Sequence, residues 1–295
     1  MKKKVAVVIL NWNRHDLALA CIKSVYQSKT SYKLLPILVD NNSTDDSVGF
    51  VKKSFPKIHV IQNKQNLGWS GGNNKGIRYA LKEKSDYIVL LNNDIIVDKH
   101  CIQNLVDGIN GKSGYAIVGP KIYRFPKKDK IISNAGNFYG SHHYGLLVGS
   151  GEKDTGKYDT DKELDFVAGV VCAKSEVYKK VGLLNENFFL YFEDVDFCER
   201  AKKLGFKCGY IHTAIQYHWE SATNGINSPV VSYYNARNRL LFIKEHFSKQ
   251  LFLEVIHTVR IIIHDYRYQN PNWYFAFRGL IDFLLGRFNR REYWN

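Results

Sequence analysis

The chain has 295 residues, of which 45% are hydrophobic and 14% aromatic, and its formal net charge is +14. This hydrophobic fraction provides for a sizeable core and excludes wholesale disorder, and no apolar run reaches the roughly 18 residues that a membrane-spanning helix needs. The positive charge favours anionic partners, but no helix-turn-helix, zinc-finger or RNA-recognition signature accompanies it, so we predict no nucleic-acid function.

The five cysteines are odd in number, form no C-x-x-C pair and lie mostly in apolar patterns. This usage indicates buried thiols in a reducing compartment rather than a disulfide framework or a zinc site. The apolar run at 5–10 follows three lysines, but it is too short for a signal peptide and leads directly into Asn11. We therefore expect a cytoplasmic protein.

The first hundred residues alternate predicted strands and helices. Continuous apolar runs, typical of strands that are covered on both faces, occur at 5–10, 34–39, 58–61 and 87–91. The pattern predicts a first helix at 16–27 with Asp16 as its N-cap, and a second from Ser43 with Asp45 and Asp46 in its first turn. A third helix is expected to follow the Gly-rich stretch 68–76 and to end near Lys84.

The second half of the chain is less regular. Residues 120–165, rich in Gly, Tyr, His and charge, predict loops and short strands. Apolar strands are expected at 166–172 and 210–215. Helices are expected at 175–181, 193–204, 230–247, 250–264 and 272–289.

These elements predict an α/β protein with a Rossmann-like, mostly parallel sheet, helices on both faces and a C-terminal helical appendage. We expect a catalytic domain at 1–228, with a nucleotide-binding half at about 1–98 and an acceptor-binding half at about 99–228. A C-terminal helical region at 229–295 completes the chain.

Polar segments follow four of the predicted strands. They are Asn11-Trp12-Asn13, Asp40-Asn41-Asn42-Ser43, 66–74 and Asn92-Asn93-Asp94. One such segment is ordinary turn chemistry, because Asn, Asp and Gly are common turn formers. Ligands bind beyond the carboxyl ends of open parallel sheets, so four polar segments at the same edge predict a binding site.

Individual residues in these segments suit a nucleotide and a metal. The Asp40 carboxylate only accepts hydrogen bonds, so it selects the N3–H edge of a pyrimidine. The Gly-rich stretch is expected to form a loop that lets the backbone approach a ligand and places a helix N-terminus near anionic groups. It matches neither a P-loop nor G-x-G-x-x-G. Asp94 suits Mg²⁺ or Mn²⁺ held against a diphosphate.

Three carboxylates, Glu193, Asp194 and Asp196, lie within four residues after an aromatic run. Such a cluster is either an acidic helix start or a general base beside a donor site. Downstream, His218 follows a predicted strand. A lone histidine is usually structural, but together with Asp94 it becomes a candidate metal ligand.

The chain resembles the inverting family 2 glycosyltransferases with a GT-A fold, especially their rhamnosyltransferase-like members, over about residues 4–245. The resemblance rests on the ordered segments VVILNWNR, VDNNSTDDS, NLGWSGGNNKGI, LLNNDIIVD, FVAGVV and VGLLNENFFLYFEDVDFCERAKKLGF. It implies that Asp94 occupies the D-x-D position, Asp194 is the catalytic base, His218 binds the metal and Asp40 faces uracil or thymine. The chain departs from the D-x-D pattern in having a single carboxylate, which leaves the identity of the metal open.

The resemblance implies an enzyme that transfers a sugar, with rhamnose as one candidate, from a dTDP- or UDP-linked donor with inversion. The implied acceptor is a hydroxyl of a cell-surface glycan or lipid-linked saccharide, and the implied cofactor is Mn²⁺ or Mg²⁺. The residues expected to bind the nucleotide sugar are Asn11, Asn13, Asp40, Asn42, Asn66, Gly71, Asn74 and Asn93. On the acceptor side we expect Glu193, Gly169 and Trp219.

Two other functions use similar features. A sugar nucleotidylyltransferase usually carries a Gly-rich loop with Arg and Lys directly after the first strand, where this chain has NWNRHD. A nucleotide-sugar-binding protein without turnover is the second alternative. The presence of Asp94, Asp194 and His218 argues against loss of activity.

The C-terminal segment combines apolar and basic residues. The apolar residues at helical spacing are Trp273, Phe277, Leu280, Ile281, Leu284 and Phe288, and the arginines are Arg278, Arg287, Arg290 and Arg291. This basic amphipathic pattern predicts peripheral contact with the cytoplasmic face of an anionic membrane. Packing on the catalytic domain, or on a second subunit in a homodimer, is an equal alternative.

Overall fold

The computed structural model describes residues 2–125, 132–168, 172–219 and 228–288. Its strands are β1 (Lys4–Asn11), β2 (Lys33–Asp40), β3 (His59–Gln62), β4 (Tyr87–Asn92), β5 (Ile95–Val97), β6 (Tyr115–Arg124), β7 (Ile132–Asn134), β8 (Asn137–Tyr139), β9 (Gly145–Leu147), β10 (Lys162–Leu164), β11 (Cys172–Lys174) and β12 (Lys207–His218). Its helices are α1 (His15–Tyr26), α2 (Ser47–Ser54), α3 (Gly68–Lys82), α4 (Cys101–Asn110), α5 (Ser175–Val181), α6 (Glu193–Lys203), α7 (Pro229–His246), α8 (Leu251–Arg267) and α9 (Trp273–Leu284).

One large sheet forms the centre of the molecule, with its main strands in the order β10-β12-β6-β11-β4-β1-β2-β3. The strands β4, β1, β2 and β3 are parallel, as the alternation of strands and helices predicts. Beyond β4 the sheet is mixed, because β11 runs antiparallel to both β4 and β6. The predicted α/β fold is confirmed, and the part of the sheet beyond β4 contains antiparallel strands.

Helices cover both faces of this sheet. Along β1, Val5, Val7 and Ile9 point to the side of α1, α2 and α4, whereas Ala6 and Val8 point to the side of α3, α6 and α7. Successive side chains of a strand point to opposite faces, so a strand covered on both sides reads as one continuous apolar run.

Two of the predicted helix starts are wrong. Asp16 is not an N-cap, since α1 begins at His15 after a left-handed Arg14 with φ 58°, and Asp16 pairs with Arg14 from the first turn. The helix expected from Ser43 begins at Ser47, where the hydroxyl and amide of Ser47 hydrogen-bond the Asp45 carboxylate. In both places, a local side-chain contact determines where the helix begins.

The predicted Gly-rich loop is also wrong, because residues 68–76 already lie in α3. A Cβ atom on Gly72 would lie 2.5 Å from the Leu10 side chain, and one on Gly76 would lie 2.3 Å from Val8. These glycines let the helix pack closely on β1. They lower the intrinsic helix propensity, and close packing on the sheet offsets that cost.

The strand predictions in the second half of the chain need correction. The strand expected at 166–172 is only β11, while Phe166 forms a single bridge with Asn137, and residues 169–171 lie outside the described part of the chain. The strand expected at 210–215 is the longer β12, which carries His218 at its end. Residues 115–119, for which no strand was predicted, begin β6.

The three predicted C-terminal helices are present as α7, α8 and α9. Residues of α7 such as Leu240 and Phe242 lie in the same core cluster as the sheet. Helix α9 packs across α7, and a Cβ atom on Gly279 would lie 2.4 Å from the carbonyl oxygen of Tyr233. None of the described helices is long and apolar enough to cross a membrane.

The five cysteines are buried free thiols. Burial raises the pKa of the Cys21, Cys101 and Cys172 thiols, which keeps them protonated and unreactive. They therefore serve as small core residues, as the sequence pattern predicts.

Candidate active site

Asp40 lies at the centre of a hydrogen-bonded pocket at the carboxyl ends of β1 and β2. Its Oδ1 accepts from Asn11 Nδ2 at 3.1 Å and from the Ser43 hydroxyl at 2.5 Å, and its Oδ2 accepts from the Ser43 backbone amide at 3.1 Å. The Ser43 hydroxyl in turn accepts from the Asn13 amide at 2.8 Å. The carboxylate is thus fixed in orientation, and Oδ2 keeps acceptor capacity for a ligand.

Asn93 joins this pocket to the end of β4. Its Nδ2 donates to Asn11 Oδ1 at 2.8 Å and to the Asn13 carbonyl at 3.2 Å. Asn11, Asn13, Asp40 and Asn93 therefore form one network, as the shared edge of a parallel sheet predicts.

Asn42 and Asn66 flank this network. Asn42 is exposed and has a left-handed backbone with φ 65°. Asn66 accepts through Oδ1 from Asn41 Nδ2 and from the Gly68 amide, both at 2.8 Å. Buried Asn41 also accepts from the Leu67 amide at 3.0 Å, so it ties the end of β2 to the start of α3.

Two predicted binding residues face the protein interior instead. Asn74 donates to the Leu184 carbonyl and to Glu186, and its Oδ1 accepts from the Leu184 amide. Gly71 is buried in α3, where a Cβ atom would lie 2.9 Å from the Leu67 side chain. Their contacts join α3 to the segment before α6, because the Gly-rich stretch is helical rather than an open loop.

Asp94 and His218 are brought together, as the sequence predicts. His218 Nε2 at the end of β12 lies 3.5 Å from Asp94 Oδ1, and β5, which directly follows Asp94, pairs antiparallel with β12. Asp94 is buried, and its Oδ1 has no hydrogen-bond partner among the described residues. A buried carboxylate oxygen without a partner costs about 1–3 kcal/mol, which a bound cation would relieve.

Trp219 lies directly beside this pair. Its backbone amide donates to the Asp94 carbonyl at 3.1 Å, and its ring contacts Phe125 edge to face at 4.6 Å between centroids. The buried indole N–H has no hydrogen-bond partner within the described ranges. Indole donors usually find a partner when they are buried, so this group is suited to a ligand hydroxyl.

A second group of possible metal ligands lies on α6 and α7. Ligand atoms of Asp196, Glu245 and His246 lie within 4.8 Å of one another. Cations already satisfy this group, since Arg200 pairs with Asp196 at 2.8 Å and Lys203 Nζ lies 2.7 Å from His246 Nδ1. The cluster therefore secures the first turns of α6.

Glu193 and Asp194 begin α6 and differ in environment. Glu193 is buried, its Oε2 has no hydrogen-bond partner among the described residues, and burial together with the Asp194 charge holds its pKa well above the ordinary value. Asp194 is half-buried, and its Oδ1 accepts from the Val195 amide at 2.8 Å. Burial therefore favours the neutral form of Glu193 next to Asp194.

The loop before α6 contacts the start of α3. The Phe189 carbonyl accepts from the amides of Trp69 at 2.7 Å and Ser70 at 3.3 Å. Trp69 Nε1 in turn donates to Asn92 Oδ1 at 2.6 Å, two residues before Asp94. The start of α3 therefore caps a protein carbonyl, which contradicts the expectation that its amides face a ligand anion.

Sequence comparison identifies the family. The family model described as "Glycosyl transferase family 2" matches residues 6–181, which is more than half of the chain. The chain belongs to glycosyl transferase family 2. It is therefore a glycosyltransferase that uses a nucleotide-sugar donor. Membership of this family favours sugar transfer over the alternative activity of a sugar nucleotidylyltransferase.

Characterised relatives span nearly the whole chain. The low-salt glycan biosynthesis hexosyltransferase Agl10 of Haloferax volcanii is 30% identical over 269 residues, covering 89% of this chain and 83% of the relative. The dTDP-rhamnosyl transferase RfbF of Shigella flexneri is 24% identical over 286 residues, covering 89% of each chain.

Solved structures confirm the GT-A fold. GalNAc-T7 with UDP, GalNAc and Mn²⁺ superposes with a TM-score of 0.62 at 15% identity, covering 82% of this chain and 48% of that one. The mannosyltransferase PcManGT from Pyrobaculum calidifontis, in complex with GDP-Man and Mn²⁺, gives 0.59 at 11% identity, covering 97% and 88%.

Two polar residues of this family 2 enzyme's site were not predicted to bind a ligand. Ser43 was assigned to a helix start, but it orients Asp40, and its position three residues later is typical of an Asp-centred turn. Asn41 was only part of a motif, although it is buried and ties β2 to α3. Gly169, expected on the acceptor side, lies outside the described residues.

Proposed function

We propose that this family 2 glycosyltransferase is a metal-dependent, inverting enzyme. Asp94 and His218 hold Mn²⁺ or Mg²⁺ against the donor diphosphate, and Asp194 deprotonates the acceptor hydroxyl. The observation that carries the proposal is the buried Oδ1 of Asp94, which has no hydrogen-bond partner in the described part of the chain and lies 3.5 Å from His218 Nε2.

The donor is a dTDP- or UDP-linked sugar, with rhamnose as the first candidate. The Asp40 carboxylate is held by Asn11 and Ser43 and keeps acceptor capacity, which suits the N3–H of thymine or uracil. Similarity to a dTDP-rhamnosyl transferase supports the thymidine donor. Asn13 and Asn93 complete the wall on which the nucleoside lies.

Asp94 and His218 would hold the cation, which would neutralise charge on the leaving nucleoside diphosphate. Oxygen ligands from Asp94 and the diphosphate suit Mg²⁺ and Mn²⁺, and the His218 imidazole would supply one nitrogen ligand. Two structural neighbours were solved with Mn²⁺, which supports a divalent cation as the cofactor.

Asp194 is the proposed base. The acceptor oxygen attacks the anomeric carbon on the face opposite the diphosphate, the bond to the diphosphate breaks, and the hydroxyl proton passes to the Asp194 carboxylate. Burial holds the pKa of Glu193 well above its ordinary value, which lowers the negative charge next to Asp194. The displacement occurs in one step and inverts the anomeric centre.

The acceptor is a glycan or lipid-linked saccharide that lies against Trp219. The indole N–H of Trp219, which has no hydrogen-bond partner among the described residues, suits a sugar hydroxyl. Similarity to a hexosyltransferase of glycan biosynthesis supports this class of acceptor.

A donor screen tests the proposal. The enzyme is incubated with dTDP-, UDP- and GDP-sugars, with Mn²⁺, with Mg²⁺ or with EDTA, and release of the nucleoside diphosphate is measured. We expect release from a thymidine or uridine donor only with metal, and NMR of the fresh product should show the inverted anomer. Equal release in EDTA would contradict metal dependence, and a retained anomer would exclude direct displacement.

The proposed membrane contact involves the outer face of α8 rather than α9 alone. Phe252, Val259, Ile263 and Tyr266 are exposed at helical spacing, and Phe252 is 75% exposed. The inner face carries the buried Glu254. An exposed apolar stripe of this kind indicates an additional partner.

The charges around this face favour an anionic bilayer. Arg260, Arg267 and His264 line a groove of about 390 Å³ together with Ile263 and Tyr268. In the described range 248–288, the acidic side chains are either buried or paired with a basic group: Glu254, Asp265 and Asp282. Two copies joined through this face would oppose like charges, which disfavours the homodimer here.

Vesicle flotation tests the membrane contact. Reversal of charge at Arg260 and Arg267 to Glu should reduce binding to phosphatidylglycerol vesicles at least tenfold, because each basic residue contributes about 1 kcal/mol. The matched control reverses Lys52 and Lys53, exposed residues of α2 on the opposite face of the sheet. Equal flotation of the two variants would refute the bilayer as partner. A dimer that dissociates only when Arg260 and Arg267 are reversed would also refute it.

A further inference from the structure

The loop that leads into Glu193 and Asp194 has a strained backbone. Phe189, Tyr191 and Phe192 have φ values of 61°, 68° and 72°. Bulky L residues rarely adopt this left-handed region, because Cβ approaches the backbone too closely. Such a conformation persists only where surrounding contacts hold it.

Asn238 of α7 supplies the most concentrated of these contacts. Its side chain is fully buried, and Nδ2 lies 2.8 Å from each of the carbonyl oxygens of Phe188, Leu190 and Tyr191. A carboxamide has two N–H donors, so the three carbonyls share the entire donor capacity of this group. One side chain therefore binds the whole width of the strained loop.

Arg237 orients Asn238 and extends the contact. Its Nε donates to Asn238 Oδ1 at 2.8 Å, and its Nη2 donates to the carbonyls of Asn187 at 3.0 Å and Phe188 at 2.9 Å. Arg237 is fully buried and stacks over Tyr234 at 4.8 Å from its centroid. Burial of a guanidinium costs free energy unless its N–H groups are hydrogen-bonded, and these contacts supply the acceptors that Arg237 needs.

We infer that Arg237 and Asn238 are positioning residues for catalysis: they hold the loop 188–192 in its strained conformation and thereby fix the Asp194 carboxylate. This inference rests on the proposed role of Asp194 as the base. Displacement of a catalytic group by about 1 Å can cost about a hundredfold in rate. The first C-terminal helix therefore belongs to the catalytic apparatus.

A matched pair of arginines separates positioning from stability. Arg239 lies two residues further along α7, is equally buried, and contacts Glu254 and Thr258 of α8 instead of the loop. We expect Arg237→Lys to lower kcat about 10- to 100-fold while the donor KM changes less than twofold. Arg239→Lys should lower the unfolding temperature without lowering kcat at a temperature where both variants are folded. Equal kcat losses would overturn the inference.

A double-mutant cycle tests the link to Asp194. In the parent, Asn238→Ala should lower kcat for diphosphate release about 10- to 100-fold. In an Asp194→Asn background the same substitution should change kcat less than twofold, because no base remains to be positioned. An undiminished effect in that background would overturn positioning while leaving the base assignment intact. Near-parental turnover of Asp194→Asn alone would instead refute the base. If Asn238→Ala does not fold, the arginine pair decides.

Discussion

Asp94 follows the end of β4 and is the metal ligand that the sequence predicts. The sequence predicts it as a ligand, since a carboxylate after an apolar strand lies at the binding edge of a parallel sheet. The structure adds that Asp94 Oδ1 has no hydrogen-bond partner among the described residues and lies 3.5 Å from His218 Nε2. The sequence predicts His218 as the second ligand through the family resemblance, although more than a hundred residues separate the two.

Removal of Asp94 should abolish metal-dependent donor binding. We expect Asp94→Ala to weaken the binding of dTDP or UDP at least tenfold with Mn²⁺ and to leave the metal-free affinity unchanged, because the carboxylate acts through the cation. Isothermal titration calorimetry with and without EDTA measures both values. Asp98→Ala, four residues further on, is the control. Parental Mn²⁺-dependent affinity in Asp94→Ala would refute the metal site.

Other residues of the site were beyond sequence reasoning for a physical reason. Ser43 and Asn41 act through hydrogen bonds to backbone and side chains that become close only after folding. In the sequence they are indistinguishable from ordinary turn residues. Asp40, by contrast, was predictable, because a buried acid directly after a strand needs partners.

At the level of elements, α3 is the clearest difference between prediction and structure. Four glycines between Gly68 and Gly76 predict a loop by propensity, yet the stretch is helical because it packs closely on β1. The small size of glycine lets α3 approach β1 closely. Burial of the rest of the helix face then outweighs the low helix propensity of glycine. Propensity is a local property, and this packing is not.

Gly68 should tolerate no side chain. Its φ is 70°, and a Cβ atom there would lie 2.3 Å from the Phe189 carbonyl oxygen. Gly68→Ala should therefore destabilise the protein. It should also lower turnover, because the added methyl group moves the loop before Asp194. Gly205→Ala is the control, because φ is 82° there but no atom lies within 4 Å of the added Cβ. Gly205→Ala should lower the free energy of unfolding by only about 1 kcal/mol. Thermal unfolding and turnover compare the two, and equal results would contradict the steric argument.

The contact between α7 and α8 depends on a buried ion pair. Glu254 accepts from Arg239 Nη1 at 2.6 Å and hydrogen-bonds His142 at 2.9 Å. Burial raises the pKa of Glu254, but these partners outweigh burial and hold the pKa below its ordinary value of 4.5. The pair therefore stabilises the fold above that pH, and this contribution is lost as the pH falls through the lowered pKa.

Replacement of Glu254 should destabilise the protein in a pH-dependent way. Glu254→Gln leaves the Arg239 charge buried without its anion, which should cost about 3 kcal/mol at pH 7. The difference from the parent should shrink as the pH falls from 4.5 through the lowered pKa of Glu254, where the folded parent also loses the charge. Urea unfolding from pH 7 to pH 3.5 measures this. A difference that stays constant with pH would contradict the ion-pair account.

For the whole molecule, the four parallel strands β1 to β4 were predictable because each is a continuous apolar run, whereas β5 and α4 were not predicted. The second half of the sheet was less predictable, since β6, β11 and β12 pair across long separations with bulges and mixed directions. The contact of α7 with the loop 188–192 joins residues about fifty positions apart. Its polar residues show no pattern in the sequence, yet they place the proposed base.

The central claim is that Asp194 takes the proton of the acceptor hydroxyl. The most direct test is turnover of Asp194→Asn, which keeps the size of the side chain and removes the base. We expect kcat to fall by about 10² to 10⁴, with the donor affinity by calorimetry unchanged, because the interaction belongs to the transition state. Glu199→Gln, on the same helix, is the control and should keep parental turnover. A folded Asp194→Asn enzyme with near-parental kcat would contradict the mechanism.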